Sequence, residues 1–482
     1  MSDESLEREV KTENNSENNP TRRSFLKMAS AAAAGGVGAM VLPKVSQAQE
    51  IIAGLTSAAP ADNATWANVI SKFNLDPQII YMNTGTEGSM PRQVLDNLCG
   101  NLAKFSQSPS YSVMDDAEFG AGQSQNRARV AQFMGATEDE IVMATNTTMG
   151  MNVILQGLDL AEGDEIITTR HDHLAGTSPM HILRDRANVT ISELTLPSPV
   201  TDKQQIIDSF AAAITANTKM LCFCHINYTT GLRMPVKELC QLAQDNGLMT
   251  LVDGAHSLGM VEIDLHDLGC DFYACAGHKW LNGPPGTGVL YIKDGANNPH
   301  NVWPILSEMY DLTKPIYPGG PSIFTVPLAM QIRGQCNTPA FTAMVEAMNF
   351  QEAIGPGAVE ERILTLNDYL KEKIIAQWGE QCLVSPAPGH DELNSGLAAF
   401  VPSADPSKRF DKSFITGITT KLKEEHGVWF RYTSYYDSAA DLPGRYSRGR
   451  STYVIRASTH IFNSYLEIDE AFNALVEVAE GM

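Results

Sequence analysis

The chain has 482 residues, 43% of them hydrophobic, enough for one large or two medium cores. Its formal net charge is −21, and residues 1–48 carry six basic and six acidic side chains, so the acidity lies wholly beyond residue 48. An acidic body argues against binding the phosphate backbone of nucleic acid, but it leaves room for a locally basic site.

At the N-terminus, Thr21-Arg22-Arg23-Ser24-Phe25-Leu26-Lys27 precedes an Ala/Gly-rich apolar run from Met28 to Leu42. Ser46-Gln47-Ala48 then supplies small residues for cleavage. This order resembles a bacterial twin-arginine export signal. It implies transport as a folded protein by the twin-arginine translocase, a periplasmic or otherwise exported destination, and a mature chain beginning near Gln49. The apolar run, about 15 residues long, is too short and weak to span a bilayer, and no other stretch could, so no stable membrane insertion is expected. The cysteines are Cys99, Cys222, Cys224, Cys240, Cys270, Cys275, Cys336 and Cys382, without a CxxC pair. A chain that folds before export meets a reducing environment first, so buried thiols are expected rather than a disulfide framework.

After the leader (1–48) comes an N-terminal arm (49–90), in which Asn74–Pro91 reads as irregular. A large domain (91–330) comes next. Its strand candidates are Glu140–Met143, Glu165–Thr168, Lys219–Cys224, Met249–Val252, Phe272–Ala276 and Gly288–Ile292. Helical patterns such as Gly150–Leu158 and Val236–Asn246 lie between them. The alternation predicts an α/β domain with a mostly parallel sheet, and the short loop Lys279–Gly288 predicts one antiparallel member. Asn298–Phe324 is rich in Pro and Gly and reads as a surface crossing. Residues 331–482 read as an interdomain helix (Pro339–Ile354) and a smaller α+β domain. Its strands are expected at Gly396–Val401, Val428–Tyr432 and Tyr453–Ser458, with a closing helix Tyr465–Glu480.

The chemistry concentrates in Leu251-Val252-Asp253-Gly254-Ala255-His256 and in His278-Lys279, 26 residues beyond the aspartate. A carboxylate, an imidazole and an amine thus stand at the ends of two apolar strands. This set suits pyridoxal 5′-phosphate (PLP): the amine attaches to the aldehyde, the carboxylate keeps the pyridine nitrogen protonated, and the ring accepts electrons from a substrate carbon.

Phe272-Tyr273-Ala274-Cys275-Ala276-Gly277-His278-Lys279, a loop, then Gly286-Thr287-Gly288-Val289-Leu290-Tyr291 resembles the class V aminotransferase family of fold-type I PLP-dependent enzymes. His278-Lys279-Trp280-Leu281 has the texture of its isopenicillin N epimerase-like members. The resemblance implies that Lys279 carries the cofactor and moves protons at the substrate α-carbon. Asp253 would face the pyridine nitrogen, His173 would stack on the ring, and His256 would reach its phenolic oxygen. Thr147, Thr148 and His278 would hold the phosphate at a helix N-terminus. Arg456 would grip the substrate carboxylate, with Arg431 beside it. Family members are usually homodimers.

Taken singly, these residues have plainer readings. Asp253 and Asn146-Thr147-Thr148 could be helix caps, His256 a structural histidine, and Arg456 half of an ion pair. His171-Asp172-His173 could bind a metal, but no third ligand is evident and no metal is expected.

The chain also departs from the family pattern. Ala276 stands where a phosphate-binding serine is frequent. Tyr228, with Asn227 beside it, stands where an asparagine meets the ring oxygen, and Gln335 where a threonine reaches across the dimer. No cysteine occurs after Cys382, which argues against desulfuration through a persulfide. The expected function is therefore that of an exported PLP-dependent enzyme acting at the α-carbon of an amino acid or peptidic metabolite. Transamination comes first. Epimerisation, a C–S or β-lyase, and a non-catalytic binding protein are the alternatives.

Overall fold

The computed structural model describes residues 63–107, 121–308, 310–313, 325–436 and 451–482. The export-signal stretch, residues 314–324 of the Pro/Gly-rich crossing, and residues 437–450 lie outside the described residues.

The short strand β1 (Ile80–Tyr81) interrupts the arm that was expected to be irregular. Seven strands come after it: β2 (Ile141–Ala144), β3 (Glu165–Thr169), β4 (Thr190–Leu194), β5 (Thr218–Cys224), β6 (Met249–Gly254), β7 (Phe272–Ala276) and β8 (Gly288–Ile292). They form one sheet in the order β2-β8-β7-β6-β5-β3-β4. β8 alone runs against its neighbours, as the short loop before it predicts. In β2, β3, β7 and β8 every residue is buried. Strands covered on both faces read as continuous apolar runs, which is why they were visible in the sequence. Two clusters of buried apolar side chains pack around this sheet. One includes Leu221, Phe223, Val252 and Tyr273. The other includes Met220, Leu251, Phe272 and Ala274.

The helix Thr338–Ile354 leads away from the large sheet, and Gly355, with φ of 101°, separates it from the helix Pro356–Trp378. Beyond these, β9 (Leu397–Phe400), β10 (Val428–Trp429), β11 (Arg431–Tyr436) and β12 (Ser451–Ser458) complete the strands. β11, β12 and β9 form an antiparallel sheet over a separate core containing Leu366, Phe400, Ile415 and Leu475. The expected strand Val428–Tyr432 is split at Phe430. Its first part pairs in parallel with β1 of the arm, and its second part pairs with β12.

No helix among the described residues is long and apolar enough to cross a membrane. All eight cysteines are free thiols, with Cys99 exposed and Cys336 half-buried.

Candidate active site

Because β2, β3, β5, β6 and β7 run the same way, the loops at their C-terminal ends meet along one edge of the sheet. Ligands of open α/β sheets bind at that edge. Asn146–Thr148 follow β2, His171–His173 follow β3, Asn227 and Tyr228 follow β5, Asp253 ends β6, and His278 and Lys279 follow β7. The sequence-predicted cofactor residues therefore come from five neighbouring strand ends.

Asp253 lies between Cys224 of β5 and Ala274 of β7 in the sheet register. Its Oδ1 accepts a hydrogen bond from the Ala255 amide at 2.9 Å. Burial pushes its carboxyl up to about 6, opposed by that bond and by the charge of Lys279. Asp172 adds a second carboxylate to the neighbourhood, held by Thr168, the Thr169 amide and hydroxyl, and the Cys224 amide. A Cβ at Gly176 would stand 3.1 Å from Asp253 Oδ2, so this glycine lets the helix Leu174–Ala187 cross close above the carboxylate. Beneath, His225 Nδ1 and Ser257 Oγ both meet the Tyr273 hydroxyl and brace the strand ends.

Lys279 keeps part of its surface open, but protein surrounds its amine. Burial lowers it to about 8, Asp253 opposes the shift, and Arg456 and Arg431 reinforce it. Its loop is pinned on several sides. Trp280, fully buried, donates from Nε1 to His256 Nδ1 at 3.2 Å, and its carbonyl accepts from Gln351 and meets His460 Nε2. From the arm, the Gly88 amide donates to the His278 carbonyl at 2.8 Å. A Cβ at Gly88 would fall 2.0 Å from the Lys279 carbonyl oxygen. Asn282 is buried beside Gly88 with φ of 63°, and neither of its amide atoms has a partner.

His173 caps the helix Leu174–Ala187, its Nδ1 accepting from the Ala175 amide at 3.1 Å. Burial, followed by the charge of Lys279, lowers it to about 4, so the ring is neutral at pH 7. Tyr228 meets it edge-on at 4.7 Å. His256 is buried, and burial holds its pKa far below the usual range. Its Nδ1 is committed to Trp280, which leaves only Nε2 to meet a ring oxygen.

Thr147 and Thr148 open the helix Thr147–Gly157, and Asn146 caps it through the Met149 amide at 2.9 Å. Gly150 sets this helix tightly on β7, since a Cβ there would be 2.7 Å from Ala274 Cβ. A Cβ at Gly288 would be 3.1 Å from Asn146 Cα, so the helix start also abuts β8. Thr147 Oγ1 and His278 Nδ1 are both buried without a hydrogen-bond partner. Such atoms are costly unless a bound group meets them. Two orphaned polar atoms, one of them at a helix N-terminus, fit a phosphate.

Arg456 is 2% exposed on β12. It donates to the Tyr228 carbonyl at 2.9 Å, to Asn83 Oδ1 at 3.4 Å and to Thr86 Oγ1 at 3.1 Å. Arg431, exposed on β11, donates to the same Thr86 oxygen at 2.8 Å. Asn83 and Thr86 were missed in the sequence. Their glycine-rich surroundings, Gly85 and Gly88, were the available signal.

Asn227 does not present a free amide. Its Nδ2 donates to the His171 carbonyl, and its Oδ1 accepts from Thr229 and Thr230. Gln335 is exposed. His171 is buried, its ring 5.0 Å from that of Tyr435.

Residues 80–407 match the family model described as aminotransferase class-V. The chain belongs to the class V aminotransferase family. Its cofactor is PLP. Among curated relatives of this class V chain, isopenicillin N epimerase of Streptomyces clavuligerus is 27% identical, with 86% of this chain and 98% of the relative covered. A probable cysteine desulfurase of Xylella fastidiosa is 26% identical over 88% of this chain and 98% of its own length. Among solved structures, the cysteine desulfurase CsdA of Escherichia coli superposes with a TM-score of 0.69 at 21% identity, covering 86% of this chain and 99% of that one. A C-DES mutant with glycine covalently linked to its PLP cofactor gives 0.67 at 21%, covering 83% and 96%. Both confirm the fold-type I architecture, a mostly parallel sheet flanked by helices. Residues 12–49 match a model described as the twin-arginine signal of the ubiquitinol-cytochrome C reductase Fe-S subunit, in agreement with the signal read from Arg22-Arg23.

Proposed function

We propose that this protein is an exported PLP-dependent enzyme that transfers the amino group of an α-amino acid, free or within a larger metabolite. The reading rests on one observation: Asp253 and Lys279 stand at the C-terminal ends of the adjacent parallel strands β6 and β7, near the buried Arg456. When bound, PLP supplies an aldehyde and an electron-accepting ring that make the α-proton of an amino acid acidic. Thr147, Thr148 and His278 would hold its phosphate, and Asp253 would keep a proton on its ring nitrogen. His173 would stack on the ring, and His256, with Nδ1 engaged by Trp280, would offer Nε2 to the ring oxygen. Arg456 orients the substrate through its carboxylate. Lys279 then takes the α-proton, an amine tuned to near-neutral pH being suited to that task.

Transamination is favoured because it needs only Lys279, and the two candidates for a second base among the described residues near it, His173 and Tyr228, are both engaged. His173 is a weak base with Nδ1 engaged, and the Tyr228 hydroxyl donates to the Ser434 carbonyl at 3.3 Å. Epimerisation is the second reading. It is supported by two isopenicillin N epimerases, 27% and 28% identical over 86% of this chain. In that case a second proton donor is needed, and Tyr228, released from the Ser434 carbonyl, is the candidate beside His173. The export signal points to a periplasmic site of action, and the family resemblance to a homodimer.

The test is to incubate the PLP-loaded protein with amino acids in D2O. NMR follows loss of the α-proton, and mass spectrometry and chiral chromatography identify products. Transamination yields one equivalent of 2-oxo acid per site without an amino acceptor, and continuous turnover only when an acceptor is present. Epimerisation yields deuterated amino acid of inverted configuration. Loss of exchange in Lys279→Ala supports the assignment of the base. No exchange with any amino acid in the wild-type protein would overturn the reading.

A further inference from the structure

Arg431 and Arg456 are direct partners across the antiparallel pair β11–β12. Directly opposed side chains leave the same face of a sheet, and like charges in that position repel. Among the described residues no carboxylate forms an ion pair with either arginine, and the hydrogen bonds of both guanidinium groups go to neutral acceptors: Thr86 Oγ1, Asn83 Oδ1 and the Tyr228 carbonyl. The two groups share the Thr86 oxygen, so they stand one atom apart. Glu87, the next residue along, is exposed and pairs with neither. Arg456 Nε is buried without a partner. Burial and then the charge of Arg431 lower the Arg456 pKa to about 9, the direction expected of two opposed guanidinium groups.

A like-charge pair without compensation is destabilising, and a bound anion relieves it. The cofactor phosphate does not, because its cradle is at Thr147 and His278. There the neighbouring charges are those of Lys279 and Glu87. One substrate carboxylate satisfies the buried Arg456. Arg431 is left exposed at the mouth of the same site, held in place by Thr86. Together with Lys279 this makes a locally positive site in a chain of net charge −21, an arrangement that gathers anions.

We propose that Arg431 binds a second carboxylate, so that the substrate is an amino acid with an acidic group at the far end of its side chain. The inference rests on the α-amino-acid reading above and narrows it. The α-carboxylate lies on Arg456, the side chain runs outward past Thr86, and its terminal carboxylate meets the planar fork of Arg431.

The test compares pairs of equal carbon count, 2-aminoadipate with norleucine and glutamate with norvaline. Binding to the PLP-loaded protein is measured by calorimetry and by change of the cofactor's absorption. The wild-type protein is expected to bind the acidic member about 10- to 100-fold more tightly, the scale of a charge-assisted contact. Arg431→Gln is expected to bring each pair to within about twofold, and Arg431→Lys to keep part of the preference. Thermal unfolding of each variant checks that the fold is kept. Equal binding within the pairs in the wild-type protein, or a preference that survives Arg431→Gln, overturns the proposal. If norleucine and norvaline bind and their acidic partners bind no better, only this inference falls. If none of the four binds, the α-amino-acid reading falls with it.

Discussion

Asp253 and Lys279 oppose each other's loss of charge. Burial drives the carboxyl up to about 6 and the amine down to about 8, and in each case the partner pulls the value back. Asp253→Asn removes a charge that raises the lysine, so the amine is expected to titrate lower still. The pH dependence of Lys279 acylation in cofactor-free protein, followed by mass spectrometry, reads this shift directly. The same variant loses the anion expected at the ring nitrogen, and turnover should fall by about 100-fold or more. An unchanged acylation profile would mean that the two groups are not coupled.

Thr147 carries an unpartnered buried hydroxyl, so its loss should matter only when phosphate is present. Thr147→Val keeps the shape and is expected to leave the stability of cofactor-free protein within about 0.5 kcal/mol, because no internal hydrogen bond is broken. PLP should bind about tenfold more weakly, while pyridoxal, which lacks the phosphate, should bind as before. Equal weakening of both ligands would place the hydroxyl elsewhere in the site.

Two glycines make opposite cases. A Cβ at Gly88 would collide with the Lys279 carbonyl oxygen at 2.0 Å, whereas one at Gly100 meets nothing within 4 Å. Gly88→Ala is expected to cost about 3 kcal/mol and to impair cofactor loading, since the arm and the lysine loop cannot both keep their places. Gly100→Ala, in the middle of the helix Arg92–Gln107, should stabilise by about 0.5–1 kcal/mol. Urea denaturation of both variants beside the parent decides the matter.

Lys371 is fully buried, with its amine 2.9 Å from Asn394 Oδ1 and 4.0 Å from Asp368. Burial lowers it from 10.5 to about 8. The unfolded chain therefore holds the extra proton between those values, and this residue makes stability rise with pH across that window. Buried thiols and phenols act in the opposite sense at the alkaline end, so the informative quantity is the difference between two proteins. Lys371→Met should flatten the rise and, at pH 7, remove a cost on the order of 2–3 kcal/mol. Parallel pH slopes for the two proteins would show that the amine is charged in the folded state throughout.

The strands bearing the site could be read from the sequence because their burial on both faces leaves unbroken apolar runs, and a charged residue at the end of such a run stands out. Asp253 and Lys279 were found in that way. β4 was missed because its residues Thr190–Leu194 are exposed or half-buried and mix polar with apolar side chains. For Thr86 and Asn83 the nearby glycines Gly85 and Gly88 were the only local signal, since their arginine partners lie 345 to 373 residues away. Asn227 shows the limit of alignment by position. It stands beside the position of the family's ring-contacting asparagine, but its Nδ2 donates to the His171 carbonyl and its Oδ1 accepts from the turn that follows β5.

The arm bearing β1 docks onto Val428 and Trp429, onto Ser458 through Asn83, and onto the two arginines through Thr86. These partners lie 345 to 373 residues further along where Asn83 and Thr86 meet the arginines. Although the arm is made early, it must wait for residues 428–458 to be synthesised before it can settle. A message cut between codons 355 and 428 would therefore encode every strand of the large sheet but none of these partners of the arm.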